Sequence, residues 1–321
     1  MKMRRLFVLA VAGLAVVAAT VVGCGVLSPG AVPGIPGAPG QPAGGGVAVK
    51  PGAPLPMLQD IDPEDLDPSR DIPGVPPQAM APPGGAVIQS NGIRIPKPTI
   101  PAGQKRRIGI QVGHWKTDEV PAELGTRIVF QTGTSWAGVD EVDVNMDIAE
   151  RMKAQLTARG YLVDILPTTI PPGYLADVFV ALHADGDETG EKSGFKIAHG
   201  SRRGPYEDKL VGFLRDEYGK LTGLDWDATG ISRNMTNYFA FNWGRYQHAA
   251  APHTPAAIVE MGFLSNDHDR DLMVNKADGV ATAIVNGIQR FLDDVPASKI
   301  FGEDLIVPPQ RGGFPSPSPR T

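Results

Sequence analysis

The chain has 321 residues, with 39 Gly, 31 Pro, a formal net charge of −5 and one Cys. Gly and Pro together make up about 22% of it, against a usual combined share of roughly 12%. The negative charge gives no sign of the basic surface of nucleic-acid-binding proteins, and a single Cys excludes an intramolecular disulfide framework.

The first 24 residues have the pattern of a secretory signal. Lys2, Arg4 and Arg5 precede an apolar run from 6 to 22, and a charged start followed by an apolar segment is typical of such signals. The run ends in Val21-Val22-Gly23-Cys24, which resembles the lipobox of bacterial lipoproteins. That resemblance implies that Cys24 becomes a lipidated N-terminus and that the rest of the chain is extracytoplasmic. An uncleaved N-terminal membrane anchor is the alternative.

Residues 25–104 have the composition of a disordered linker. They contain 18 Pro and 14 Gly and no Phe, Trp or Tyr, so they cannot bury enough apolar surface to offset the entropy of ordering. Residues 296–321 end in a Pro- and Ser-rich stretch that predicts a second disordered segment. The remaining range, 105–295, is the right size for one domain with a full core.

Within 105–295 the predicted elements alternate between strands and helices. Apolar runs predict strands at 108–112, 161–166, 177–182, 194–198, 237–243 and 256–261. Apolar residues with helical spacing predict helices at 141–159 and 206–221, and a final helix with Val280, Ile284, Ile288 and Phe291 on one face. This alternation predicts an α/β fold: a single domain with a mostly parallel or mixed sheet flanked by helices.

Ionisable side chains follow or end three of the predicted strands. His114 and His183 come just after two of them, and Glu260 is at the end of a third. If these strands are parallel, the three side chains converge on one edge of the sheet, and Glu141 at a helix start can reach the same edge. Two imidazoles and a carboxylate are the ligands of a catalytic zinc site, and a second carboxylate can take a proton from water.

Each of these residues also has a structural interpretation. A His after a strand is often a hydrogen-bonded structural residue, and Glu141 at a helix start can interact with the helix dipole. A buried carboxylate needs a cation, a proton or a metal-activated water. For Glu260 an internal salt bridge to Arg233 or Arg245 is therefore the alternative.

Four blocks of sequence, in order, resemble the zinc-dependent N-acetylmuramoyl-L-alanine amidases of the type-3 family, which cleave peptidoglycan. The blocks are Gly113-His114, Glu141 through Asn145, the run from Ala176 to Asp185 around His183, and Pro255 through Asn266 around Glu260. The resemblance covers about residues 106–293. It implies that His114, Glu141 and His183 bind Zn²⁺. It also implies that Glu260 is the catalytic carboxylate, and that the cleaved amide joins the lactyl group of N-acetylmuramic acid to L-alanine.

The sequence departs from the family pattern in several places. Trp115 and Lys116 follow the first His where small residues are usual, Ala181 replaces a Ser, Asp185 replaces an Asn, and the connection from 166 to 177 is short. These departures affect the expected substrate contacts rather than the ligands. We expect substrate contacts from Asn145, Asp185, Asn266 and His253.

Two further segments are expected near the site. Residues 115–140, with Trp136, are predicted to form a loop over it. Part of the aromatic and polar segment 233–253 is predicted to line the cleft, with ordinary core packing as the alternative. His199, His248 and His268 have no assigned role.

The interpretation is therefore a monomeric peptidoglycan amidase held at the membrane by lipid on Cys24. Two alternatives stay open. One is a zinc amidohydrolase or carboxypeptidase acting on another small amide. The other is a catalytically silent module that binds the cell wall.

Overall fold

The computed structural model describes residues 87–89, 92–201 and 204–307. The predicted signal with Cys24, most of the predicted linker and residues 308–321 lie outside the described residues. Within the described part of the chain, no helix has both the length and the apolar character needed to cross a membrane.

The described elements alternate as predicted in the middle of the chain. The strands are β1 (Val87–Gln89), β2 (Gly92–Ile95), β3 (Arg107–Val112), β4 (Ser135–Trp136), β5 (Val139–Asp140), β6 (Leu162–Leu166), β7 (Val178–Asp185), β8 (Lys196–Ala198), β9 (Ala256–Phe263) and β10 (Leu305–Val307). The helices are α1 (Gly125–Val129), α2 (Glu141–Ala158), α3 (Glu207–Thr222), α4 (Arg233–Thr236), α5 (Asp267–Asn275), α6 (Ala277–Asp294) and α7 (Ala297–Phe301).

The central sheet has five strands in the order β6-β3-β7-β9-β8. The first four are parallel, and β8 pairs antiparallel with β9 at one edge. The predicted mixed α/β sheet is therefore confirmed. The parallel strands all end at the same edge of the sheet. The residue that follows β3 therefore lies near the last residues of β7 and of β9.

The two faces of this sheet are covered differently. Alternate residues of β3, such as Ile108 and Ile110, belong to a core cluster that they share with helices α2, α3 and α6. The residues between them face the other side, as does Phe179 in β7, whose cluster includes Ala240 and Phe241 from an irregular segment. The predicted strand at 237–243 is wrong, because this segment contains a short 3-10 helix, Phe239–Phe241. Its rings pack against the face of the sheet, with Phe241 edge-on to Phe179, rather than pairing in it.

Secondary structure extends beyond the predicted 105–295 range at both ends. Strand β2 pairs antiparallel with both β1 and β10, which gives a second, three-stranded sheet. Helix α7 packs Ile300 and Phe301 against the main core cluster. The first part of the predicted disordered tail, from 297 to 307, is therefore folded, because its apolar residues find partners in the domain.

Candidate metal centre

The four predicted residues meet at the carboxyl edge of the central sheet. His114 follows β3, His183 lies near the end of β7, and Glu141 is the first residue of α2. Glu260 lies in β9 directly opposite His183 in the parallel register. Side chains opposite each other in a ladder point to the same face, so Glu260 faces the same side of the sheet as His183.

Two imidazoles and one carboxylate form a compact triangle of donor atoms. His114 Nε2 lies 3.2 Å from Glu141 Oε1, His183 Nδ1 lies 3.1 Å from the same oxygen, and the two nitrogens are 3.1 Å apart. Zinc bonds of 2.0–2.1 Å in a tetrahedron separate the ligand atoms by about 3.3–3.4 Å. The triangle is close to one face of such a tetrahedron, so these residues fit a small divalent cation that keeps a fourth position open.

Backbone groups form hydrogen bonds with the side chains of His114 and Glu141. His114 Nδ1 is 2.6 Å from the carbonyl of Gln131, to which it donates. Glu141 Oε2 accepts from the backbone N–H of Thr134 at 2.9 Å, and Oε1 accepts from that of Ala184 at 3.0 Å. Such outer contacts set the tautomer and orientation of a ligand.

The backbone conformation at the site is unusual in two places. His114 has a φ of 65°, a left-handed conformation that a side chain rarely adopts and that often marks a functional site. Gly133 has a φ of +87°, and a Cβ there would come within 3.0 Å of Glu141 Oε2 and of the His114 ring. The loop therefore approaches the ligands closely because this position has no side chain.

The electrostatics of the triangle favour positive charge. Burial alone would lower the pKa of His114, but the adjacent Glu141 carboxylate and the Gln131 carbonyl raise this pKa to about 9. Burial alone would raise the pKa of Glu141, but His114 and His183 hold it well below the usual range. A divalent cation would replace the proton that these groups share, because metal ligands bind in their deprotonated form.

Glu260 is a half-buried residue beside the triangle. Burial raises its pKa, His183 opposes this rise, and Glu141 adds to it. Its neighbour in the antiparallel register is Lys196, whose ammonium pairs with Asp185. The charged groups that act most strongly on the pKa of Glu260 are His183, Glu141, Lys196 and His114.

The four residues expected to contact substrate occupy four different environments. Asn145 is fully buried beneath Glu141, with its amide 3.4 Å from Glu141 Oε1 and from the Gly113 carbonyl. Asp185 lies at the site but is paired with Lys196. Asn266 caps α5 by accepting from the backbone N–H groups of His268 and Asp269. Asn145 and Asn266 therefore make contacts within the protein, and their contacts with substrate stay a prediction.

His253 does not lie near the metal triangle. It precedes β9 and so lies at the amino edge of the sheet, where burial lowers its pKa and Asp304 opposes this. Glu260 lies seven positions after His253, mostly along an extended strand, and this separation spans roughly 20 Å. A short separation in sequence therefore places the two side chains at opposite edges of the sheet.

The structure adds contacts that the motifs did not reveal. Residues 115–140 form two 3-10 turns, α1 and the β4–β5 hairpin rather than a simple loop. They bring Gln131 and Thr134 to the ligands through backbone atoms, which residue types do not indicate. In segment 233–253, Tyr238 lies 3.3 Å from His183 Nε2, while Met235 and Phe241 pack in the core. Core packing therefore accounts for Met235 and Phe241, Tyr238 contacts a residue of the triangle, and the lining of a cleft by this segment stays a prediction.

A comparison with solved structures finds several similar proteins. N-acetylmuramyl-L-alanine amidase Ami1 from Mycobacterium smegmatis is 22% identical with a TM-score of 0.47, and the match covers 59% of this chain and 98% of that one. The apo form of Ami1 from Mycobacterium abscessus is 21% identical with a TM-score of 0.44, covering 58% and 98%. N-acetylmuramoyl-L-alanine amidase AmiC2 of Nostoc punctiforme is 17% identical with a TM-score of 0.41, covering 59% and 98%. No curated protein sequence matches the chain.

The family assignment rests on the sequence of the domain itself. The family model described as N-acetylmuramoyl-L-alanine amidase matches residues 108–290, which is more than half of the chain. The match begins in β3, ends in α6 and includes all four residues gathered at the carboxyl edge. The chain belongs to the N-acetylmuramoyl-L-alanine amidase family and is a peptidoglycan hydrolase.

Proposed function

We propose that this amidase depends on zinc and cleaves the amide between the lactyl group of N-acetylmuramic acid and L-alanine of the stem peptide. His114, Glu141 and His183 would hold the ion through Nε2, Oε1 and Nδ1. The observation that carries the proposal is the triangle of donor atoms with 3.1–3.2 Å sides, one strand away from the Glu260 carboxyl group. Two neutral nitrogens and one carboxylate oxygen suit Zn²⁺ better than the all-oxygen sites preferred by Mg²⁺ or Ca²⁺.

Zinc in such a site supplies Lewis acidity, which polarises the amide carbonyl and lowers the pKa of water at the site towards 7. The protein's part is to move one proton. Glu260 would accept it from the attacking water as the new C–O bond forms. The same carboxyl group would then deliver it to the amide nitrogen as the C–N bond breaks and the amine of L-alanine leaves.

The environment of Glu260 suits this proton transfer. A general base works best when its pKa lies near the working pH, and burial raises the pKa of Glu260 above that of an ordinary Glu. The residue as a whole is half-buried. Its place in the register beside His183 directs it towards the metal triangle.

Replacing the proposed base tests the mechanism. We expect Glu260→Gln to reduce the release of stem peptide from purified sacculi about 10²–10⁴-fold, the usual contribution of a general acid–base group. The variant should still bind about one zinc per chain, because all three ligands remain. Glu150→Gln, at an exposed position of α2, is the matched control and should keep native activity.

Two results would overturn the proposal. One is Glu260→Gln cleaving as fast as the native protein. The other is zinc content that survives replacement of His114 by Ala. Mass spectrometry of the products separates the substrate classes: intact stem peptides support cleavage at the lactyl amide, whereas free amino acids indicate a carboxypeptidase.

We further propose the cellular arrangement that the first residues indicate. Residues 1–24 act as a lipoprotein signal, Cys24 carries the lipid, and the Pro- and Gly-rich stretch after it spaces the domain from the membrane. The catalytic domain then works outside the cytoplasm as a monomer. A lipid rather than a basic surface would hold it there, since the whole chain is acidic.

A further inference from the structure

The His183 ring is contacted on both of its nitrogens. Its Nδ1 points into the donor triangle, and its Nε2 lies 3.3 Å from the hydroxyl of Tyr238. Gly113 closes the same side of the ring, since a Cβ there would lie 2.4 Å from Cε1 and 2.6 Å from Nε2. The ring therefore has little freedom to turn, and the partner of Nε2 is Tyr238.

Gln111 fixes the other end of this contact. It is fully buried in β3, on the same face of the sheet as His183. Its Nε2 donates to the carbonyl of Thr168 at 2.6 Å, and its Oε1 accepts from the Tyr238 hydroxyl at 3.0 Å. A backbone carbonyl can only accept, so the Gln111 amide has one possible orientation, with its oxygen towards Tyr238.

Only one arrangement of protons fits the hydrogen bonds that run from Thr168 through Gln111 and Tyr238 to His183. A tyrosine hydroxyl has a single proton, and the Tyr238 proton is used in the bond to Gln111. The Tyr238 oxygen must therefore accept from His183, so Nε2 is the nitrogen that carries hydrogen. Burial also raises the pKa of Tyr238, which keeps the phenol protonated.

We infer that Gln111 and Tyr238 are positioning residues that hold His183 in the tautomer with hydrogen on Nε2 and a free electron pair on Nδ1, the atom aimed at the metal. The inference rests on the proposed zinc site. The Thr168 carbonyl sets the direction of all these hydrogen bonds, through Gln111 and Tyr238. His114 reaches the same result in one step, through its bond to the Gln131 carbonyl.

Without the Tyr238 hydroxyl, no acceptor holds the hydrogen of His183 on Nε2. A neutral imidazole can then place its hydrogen on Nδ1 and donate to Glu141 Oε1, 3.1 Å away. That arrangement blocks two donor atoms of the triangle at once. Loss of such an outer contact typically weakens metal binding 10–100-fold.

Zinc affinity, measured by competition with a chromogenic chelator, tests the inference. We expect Tyr238→Phe, which keeps the ring, to weaken binding 10–100-fold while the protein still unfolds cooperatively. Gln111→Met, which frees the Tyr238 hydroxyl to donate to His183, should weaken binding in the same direction. Tyr161→Phe is the matched control, because its hydroxyl bonds only to Gln289 among the described contacts and lies on another part of the fold; it should bind zinc like the native protein.

The protonated nitrogen of His183 is a second readout that a merely structural role would not move. Long-range ¹H–¹⁵N spectra of the metal-free protein should show the neutral His183 ring with hydrogen on Nε2, and Tyr238→Phe should shift the population towards Nδ1.

The inference is overturned if Tyr238→Phe and Gln111→Met both bind zinc within about twofold of the native protein. It is also overturned if the native ring carries its hydrogen on Nδ1. Failure of the proposed function looks different, because zinc binding would then survive the loss of His114 or Glu141 in an otherwise native chain.

Discussion

At the scale of single residues, the position of Gly113 decides how closely β3 approaches His183. A methyl group there would lie 2.4–2.6 Å from two atoms of the His183 ring and 2.6 Å from the Leu182 carbonyl. Real Cβ atoms do not come so close, so either the ring or the backbone of β7 must move. The metal triangle therefore depends on the absence of a side chain at a residue that contributes no donor atom to it.

We predict that Gly113→Ala lowers the free energy of unfolding by about 1–3 kcal/mol, the usual cost of overpacking, and weakens zinc binding. Gly212→Ala in α3 is the control. A Cβ at 212 meets no atom within 4 Å, and Ala in a helix is more stable than Gly by roughly 0.5–1 kcal/mol. Urea unfolding and zinc titration of both variants measure the difference. Equal stability of the two variants would contradict the prediction.

Residue types and chain position together predicted the main members of the site. His114, His183 and Glu260 follow or end apolar strands, and parallel strands place such residues at one edge. The roles of Asn145 and Asn266 were not predictable in this way, because an amide can hold a ligand, cap a helix or bind substrate. Which of these it does depends on contacts with residues distant in sequence, such as Gly113 for Asn145.

At the scale of elements, a carboxylate ties the 3-10 helix Ala122–Leu124 to the segment that covers the sheet. Glu123 accepts from the backbone N–H groups of Gln247 and His248 and contacts the His248 ring at 2.5 Å. Burial alone would raise the pKa of Glu123, but these donors lower it. The carboxylate form therefore stabilises the folded protein.

We predict that this stabilisation depends on pH in one direction. The pKa of Glu123 is lower in the folded protein than in the unfolded one. Its stabilising effect is therefore fully present at pH values above the unfolded pKa, and it is lost as the pH falls through the folded pKa. Glu123→Gln should cost about 1 kcal/mol at pH 5.5, and the difference from the native protein should be smaller at pH 3 because the pKa of Glu123 is lowered. Glu119→Gln, at an exposed position, should cost little at either pH. A Glu123→Gln cost that is the same at both pH values would be inconsistent with this account.

The elements best predicted from sequence are those with a clear apolar period. Helix α2 begins at Glu141, as expected, and β3 and β9 match their apolar runs closely. The predicted strand at 237–243 was wrong because alternating aromatic residues suit a surface that covers a sheet as well as a strand within one. Only the packing of Phe241 on Phe179 distinguishes the two.

At the scale of the whole molecule, the segment after α6 belongs to the same core as the catalytic strands. Phe301 in α7 is only 8% exposed and packs in the main cluster. We predict that Phe301→Ala lowers the free energy of unfolding by about 3–5 kcal/mol, the usual cost of truncating a buried Phe. Phe130→Ala is the control, because Phe130 is 80% exposed and its truncation should change stability by less than about 0.5 kcal/mol.

Chemical denaturation of the two Phe variants measures this contrast. Similar unfolding midpoints for both would show that α7 contributes nothing to the core. The fold of 297–307 was not predictable from composition, since the Pro- and Ser-rich residues that follow dominate that window. The apolar residues Ile300, Phe301 and Leu305 are too few to form a predictable pattern alone, and they fold because the rest of the domain offers partners.

The pairing of β2 with β10 also has a mechanical consequence. Tension applied to the amino side of the chain enters the domain through β1 and β2, and the hydrogen bonds to β10 are the next to bear it. Residues 96–106 lie between this small sheet and β3, the first catalytic strand. If a tether pulls on that side of the chain, the outer strands and this connecting segment lie along the backbone between the load and the metal ligands.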